Sequence, residues 1–297
     1  MQHLYSTCFS AMGSDCHLHI YAGNQAAANV IFEQSVQEIA RIESRYSRYQ
    51  KDSFLTEVNH VASMGASIVV DTETAGLIDY AYGCYRKSGG LFDITSGILR
   101  RIWDFSVPGL PRQTDIDRLL PLIGMEKLYW DSPLLSFPLP GMELDFGGIG
   151  KEYAADQAAA VCRSLGIEHG LIDLGGDIVA IGPHPDQKPW RIGIRHPKTP
   201  HTTMIMVDID RGALATSGDY ERYIEVDGKR YCHLLNPKTG WPAQGLSSVS
   251  VFADQCLVAG SLSSIAMLKG IAGIDWLDRM GVQHIWMSSQ GRLNSSC

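Results

Sequence analysis

Residues 16–22 alternate Cys16, Leu18 and Ile20 against His17, His19 and Tyr21, the period of two that marks a half-buried strand. Directly after it, Phe32, Val36, Ile39, Ile42 and Tyr46 recur at helical spacing across residues 25–46, with charges opposite. A second helix is predicted to start at Asp71-Thr72, to carry Leu77, Ala81 and Cys84 on one face, and to stop at Gly89-Gly90. A third is expected from Lys151 to Leu165, with Ala154, Ala158, Val161 and Leu165 on one stripe and Gly166 after it.

The second half reads mainly as strands. Residues 170–182 give strand, double-glycine turn, strand, and residues 190–196 and 204–210 give two more. Residues 220–226 and 229–235 flank Asp227-Gly228, a two-residue hairpin signal. Residues 247–253 form a further strand, followed by a short helix at 258–269. Hairpins interspersed with helices predict an α+β fold of mixed antiparallel sheets with flanking helices, rather than a doubly wound parallel sheet. There is no solenoid period and no composition break. The expectation is one domain over residues 5–290, with two intertwined subdomains as the alternative.

The 297 residues are 45% hydrophobic and 19% charged, enough for a large core. A net charge of −7, with no Lys/Arg run, speaks against nucleic acid or an anionic membrane as partner. No run of about 18 apolar residues is present, so no membrane span is expected. Met1 to Cys8 has no basic or long apolar stretch, and Cys8 is not framed as a lipid-anchor cysteine. The seven cysteines are odd in number and include no CxxC pair. That fits a reducing compartment without structural zinc, and the chain is read as cytoplasmic.

Five segments are rich in chemistry. Ser88 to Gly97 joins a double glycine to Phe92, Asp93 and hydroxyls. Taken alone it reads first as a helix end feeding a loop, with a ligand loop in which Phe92 faces a planar ring as the other reading. Leu144 to Tyr153 places Gly147, Gly148 and Gly150 before a helix that starts near Lys151. Free N–H groups at a helix start bind phosphate and Lys151 would add charge, although a tight structural turn fits the same residues. Neither the GxxxxGK nor the GxGxxG phosphate motif is present. Gly175-Gly176-Asp177 lies between apolar strands. Ala215 to Arg222 and His233 to Pro242 complete the set, the last being a hairpin strand that runs into a turn.

In order and spacing, these segments resemble the ApbE family of FAD:protein FMN transferases. Ala11-Met12-Gly13-Ser14, Arg45 to Ser53, Gly90 to Thr95, Trp103-Asp104-Phe105, Asp145 to Lys151, Gly175-Gly176-Asp177, Ser217 to Arg222 and His233 to Pro242 all take part, over about residues 10–270. The resemblance implies an ApbE-type fold and FAD as substrate. It further implies that FMN is moved through a phosphoester bond to a Thr or Ser hydroxyl of a target protein, with release of AMP. Hydrolysis of FAD to FMN and AMP, or FAD binding without catalysis, are the alternative activities.

By resemblance, Met12, Tyr49, Leu91, Phe92, Asp93, Asp145, Lys151 and Leu235 contact FAD, and His233 is the candidate base, since an imidazole titrates near neutral pH. The family's metal site implies Mg²⁺ held by an Asp, a Thr four residues later and a backbone oxygen in the glycine loop. The matching positions are Gly260, Ser264 and the stretch around Gly148. Gly260 brings no carboxylate where the family has one, which removes the main charge that would hold a hard cation.

Overall fold

The structure, a computed structural model, describes residues 2–199 and 202–296. Cys297, one of the cysteines counted above, lies outside them, and the cysteines inside are free thiols. Strand β1 (His3–Ala11) pairs with β2 (Ser14–Ala22) along its whole length around the Met12-Gly13 turn. Helix α1 (Gln25–Tyr46) starts where the Asn24 side chain accepts from Ala27 N–H. A helix that the apolar pattern did not reveal, α2 (Phe54–Met64), is capped by Ser53. After β3 (Ser67–Val69), α3 (Thr72–Ser88) runs from the predicted cap at Asp71 to the predicted stop at Gly89.

A 3₁₀ stretch at Ile94–Arg101 and a short helix α4 (Gln113–Leu119) lead to β4 (Tyr129–Asp131) and β5 (Leu134–Ser136), which join β3 in a small sheet. Helix α5 (Gly150–Ser164) follows the glycine loop. Then come β6 (Gly170–Leu174), β7 (Asp177–Gly182), the β8 (Trp190–Arg195) and β9 (Thr203–Ile209) ribbon, and β10 (Gly212–Gly218). The predicted hairpin is β11 (Tyr223–Val226) and β12 (Lys229–Cys232), with Asp227 and Gly228 both at positive φ. Strand β13 (Leu246–Ala253), helices α6 (Cys256–Lys269) and α7 (Ala272–Arg279), and strands β14 (His284–Ser288) and β15 (Leu293–Ser295) complete the chain.

The main sheet has eight strands in the order β1-β2-β6-β7-β10-β13-β14-β15. Every strand pair among the described residues is antiparallel, as an α+β fold requires. The middle of the sheet is buried on both faces: β7 is buried along its whole length, and β13 buries Ser247, Ser248 and Ser250 beside Val249 and Val251. On one face Leu18, Val179, Ala213, Ala215 and Trp286 pack on the helices. On the other, Ile178, Ala180, Leu214 and Ile285 pack under Trp190, Ile194 and Ile209 of the β8–β9 ribbon.

Helix α5 buries Ala154, Ala155, Ala158 and Ala159. These small side chains let it lie close to both α1 and α6. Helix α6 has no cap of its own. Instead both carboxylate oxygens of Asp156, on α5, accept the N–H groups of Cys256 and Leu257, each at 2.9 Å. A third cluster joins Ile98, Leu99 and Trp103 to Ile224 and Leu235, and so ties the 3₁₀ stretch to the β11–β12 hairpin. No helix is long and apolar enough to cross a membrane among the described residues.

Candidate active site

A cavity of about 510 Å³ opens where the β1–β2 turn, the end of α1, the Leu91–Gly97 loop, the start of α5, the end of β10 and the segment after β12 converge. Every candidate contact residue from the sequence lines it: Met12, Tyr49, Leu91, Phe92, Asp93, Asp145, Lys151 and Leu235, together with His233, Gly148 and Ser264. Gly260 does not.

Met12 holds a φ of 52°, a left-handed conformation that costs a bulky residue energy and persists only when its surroundings enforce it. Its N–H donates to Glu43 Oε1 at 2.7 Å, which fixes the turn at the cavity rim. Tyr49, 73% exposed, stands at the same opening. Phe92 is buried, and its ring lies where a side chain on Gly148 would touch it, so it forms wall rather than a free stacking face.

The two acidic candidates are engaged within the protein. Asp93 Oδ1 accepts from the Thr95 N–H (2.8 Å) and hydroxyl (2.6 Å), and its Oδ2 accepts from Met125 N–H (3.2 Å). It thereby starts the 3₁₀ stretch. Asp145 accepts from Gly147 N–H and pairs with Arg48 at 2.7 Å and Arg100 at 3.3 Å. Arg48 also pairs with Glu143, which in turn binds Arg101. A Cβ on Gly97 would fall 2.3 Å from Asp145 Cβ, so only glycine allows the two loops to meet here.

Helix α5 begins at the cavity wall. The Gly150 N–H already donates to the Phe146 carbonyl oxygen at 2.7 Å, while the N–H groups of Lys151 and Glu152 have no backbone acceptor among the described residues and lie beside the cavity. Lys151 pairs with the buried Asp177 at 2.9 Å. Burial pulls Lys151 down, but Asp177 and Glu152 outweigh it and hold the ammonium above its ordinary range. Glu152, only 8% exposed, also lines the cavity, and its Oε2 has no hydrogen-bond partner. Burial and the Asp177 charge push its carboxyl up to about 8, with Lys151 opposing.

The rest of the lining is built differently. Ser217 on β10 is hydrogen-bonded to Ser263 (2.7 Å) and Ser264 (2.9 Å) on α6. Arg222 lines the cavity and makes no ion pair among the described residues. His233 Nδ1–H donates to the Arg222 carbonyl oxygen at 3.2 Å, because a carbonyl can only accept, and Nε2 is left as the acceptor nitrogen. Burial, reinforced by Arg100 and then Arg222, drives the imidazole down to about 4.

Arg48, Arg100, Arg222 and Glu152 were given no individual role by the sequence reading. Three of them lie within or beside motifs quoted above. Glu152, which directly follows Lys151, becomes distinctive only once α5 packs on α6. No group of three or more His, Cys, Asp or Glu residues suited to a metal ion occurs among the described residues. Ser264 and the Gly148 segment both border the cavity, and the unpartnered Glu152 oxygen is an orphaned buried acceptor of the kind a cation satisfies.

The lining sets Arg48, Arg100, Lys151 and Arg222 and a helix start beside buried carboxylates, with Tyr49 and apolar groups at the opening, an arrangement that can hold an anionic group directly or through a cation together with an apolar part. The family model described as the ApbE family matches residues 12–286, and the chain belongs to that family. It is 28% identical over 272 residues to the FAD:protein FMN transferase of Haemophilus influenzae, covering 87% of this chain and 79% of that one. With the protein of the same name from Vibrio cholerae it shares 32% identity over 239 residues, 78% of this chain and 71% of the relative. Among solved structures, the ApbE protein of Thermotoga maritima superimposes with a TM-score of 0.90 at 30% identity, over 99% of this chain and 97% of that one. The apo flavinyl transferase ApbE of Pseudomonas stutzeri gives 0.88 at 27% identity, over 99% and 95%.

Proposed function

We propose that the protein binds FAD in this pocket and transfers its FMN part to a Thr or Ser hydroxyl of an acceptor protein, releasing AMP. The observation that carries the reading is the convergence of Lys151, Arg222 and the start of α5 on one cavity beside His233. In the step, the acceptor oxygen bonds to the FMN phosphorus, the diphosphate P–O bond breaks, and AMP leaves with the electron pair. The hydroxyl proton passes to His233 Nε2. Lys151 and Arg222 hold the diphosphate in line and offset its charge, which is most of what phosphoryl transfer asks of a protein.

His233 is a weak base in the free protein because it is buried and, after that, because Arg100 and Arg222 stand near it. A bound diphosphate cancels part of that field and raises the imidazole's proton affinity, so the base strengthens when substrate is in place. When bound, a divalent cation would neutralise charge on the departing phosphate, and Ser264 and the Gly148 carbonyl are the matching groups to hold it. FAD affinity should exceed that for FMN or riboflavin, since only FAD brings a diphosphate and a second ring system.

The test is mass spectrometry of a Thr-containing acceptor peptide after incubation with protein, FAD and Mg²⁺. A peptide gaining one FMN phosphoester, with equimolar AMP, is the expected result. FMN and AMP without labelled peptide would mean that water is the acceptor, and no turnover would leave FAD binding alone.

A further inference from the structure

We propose that Glu152 is the carboxylate ligand of a divalent cation in this pocket, doing from α5 what the residue at Gly260 cannot do from α6. The proposal rests on the reading of the pocket as a diphosphate site. Its evidence is a coincidence in space. A Cβ built on Gly260 would lie 2.5 Å from Glu152 Cγ and 2.7 Å from Glu152 Oε1. The Glu152 side chain therefore occupies the volume into which a side chain at position 260 would grow. Ser264 lies one turn further along α6 and shares that face. Gly148 lies four residues before Glu152, at the approach to α5. Carboxylate, hydroxyl and loop backbone are thus gathered at one wall of the cavity.

The second observation is the state of the carboxylate itself. It is 92% buried by its 8% exposure, it borders the cavity, and Oε2 has no partner. A carboxylate kept for structure alone would be paired, as Asp156 is with two N–H groups and Asp177 with Lys151. Leaving Oε2 without a donor costs stability, and a cation seated against it removes that cost. The donors are all oxygen, the set that suits Mg²⁺ or Mn²⁺ rather than a soft metal. One carboxylate, a hydroxyl and a carbonyl are too few to hold Mg²⁺ alone. Such sites are completed by substrate phosphates and water. Cation binding should therefore be weak in the free protein and strengthen with FAD.

The spatial overlap also predicts that Gly260→Asp alone is harmful. Its side chain meets Glu152 rather than open space, so a carboxylate can return to α6 only if Glu152 gives way. The experiment titrates Mn²⁺ into the protein with and without saturating FAD, following the free-ion signal by electron paramagnetic resonance. FAD binding is measured separately by fluorescence in EDTA. Wild type should bind Mn²⁺ tightly only with FAD. Glu152→Gln should bind it about tenfold or more weakly while FAD affinity in EDTA is kept. The double variant Glu152→Gly with Gly260→Asp should recover the affinity, and melting curves confirm that each variant is folded. Glu152→Asp, which keeps the charge but shortens the reach, should fall between wild type and Glu152→Gln. Wild-type Mn²⁺ affinity in Glu152→Gln, or no recovery in the double variant, overturns the proposal. FAD binding without any Mn²⁺ binding overturns it alone. Absence of FAD binding before metal is added overturns the reading of the pocket together with it.

Discussion

The two walls of the pocket hold their charges in opposite ways. On the α5 side each cation is already matched: Lys151 to Asp177, Arg48 to Glu143 and Asp145, Arg100 to Asp145. On the β10–β12 side Arg222 has no carboxylate partner among the described residues and His233 has only a backbone acceptor. The paired wall is organised before any ligand arrives, and its charges serve stability as well as binding. On the other wall the Arg222 and His233 side chains form no ion pair among the described residues, so the Arg222 charge stays available to a ligand. One pocket therefore contains residues whose removal should damage folding and residues whose removal should damage function alone.

Substitutions on the two sides can break that contrast. The largest effect should come from His233→Ala on the unpaired wall, slowing FMN transfer by about 10²–10⁴-fold while FAD affinity changes little. The same variant has a pH signature. The folded imidazole titrates at about 4 against an ordinary 6.5, so the unfolded chain binds the proton first as pH falls. Its contribution to stability is complete above pH 6.5 and is lost as pH falls towards 4. Melting temperatures of wild type should therefore drop more steeply than those of His233→Ala across that window. Parallel curves would show that the imidazole is not held in its neutral form.

Next in size is Lys151→Ala on the paired wall. It strands the buried Asp177 and should cost about 3 kcal/mol in urea unfolding, the low end for a broken buried pair because the ammonium is partly solvated. FAD affinity should fall with it. Lys151→Met with Asp177→Leu should recover the stability without the affinity. A Lys151→Ala variant that is as stable as wild type would erase the distinction between the walls. The smallest effect is expected from Arg222→Ala. FAD binding by calorimetry should weaken by about tenfold, with the melting temperature kept within about 2 °C because no ion pair is lost. A large drop in melting temperature would mean that Arg222 is structural.

The legible parts of the chain were those whose signals are local. Helices α1, α3 and α5 announce themselves by long apolar stripes, and α3 carries its own start and stop signals at Asp71 and Gly89. Asp227-Gly228 marks its hairpin because few residue pairs accept positive φ twice. Strand β1 was not predicted, since it lies at the edge of the sheet and has no buried residue to set an alternation. Strands β3, β4 and β5 have three residues each, too few for any period. In the pocket, the glycine loop and the His233 strand were visible as composition. That Asp93 and Asp145 spend their oxygens on protein donors was not, because their partners lie on other segments. Glu152 was hidden for the same reason: its meaning depends on what faces it from another helix.

Asp156 ties the two pocket helices together mechanically. By holding the first amides of α6 in a side chain of α5, it makes the pair behave as a single lever. Sliding one helix along the other would rupture both hydrogen bonds at once. The floor that carries Lys151, Glu152 and Ser264 is therefore braced from two helices at once, while at the opening Tyr49 stands largely in solvent.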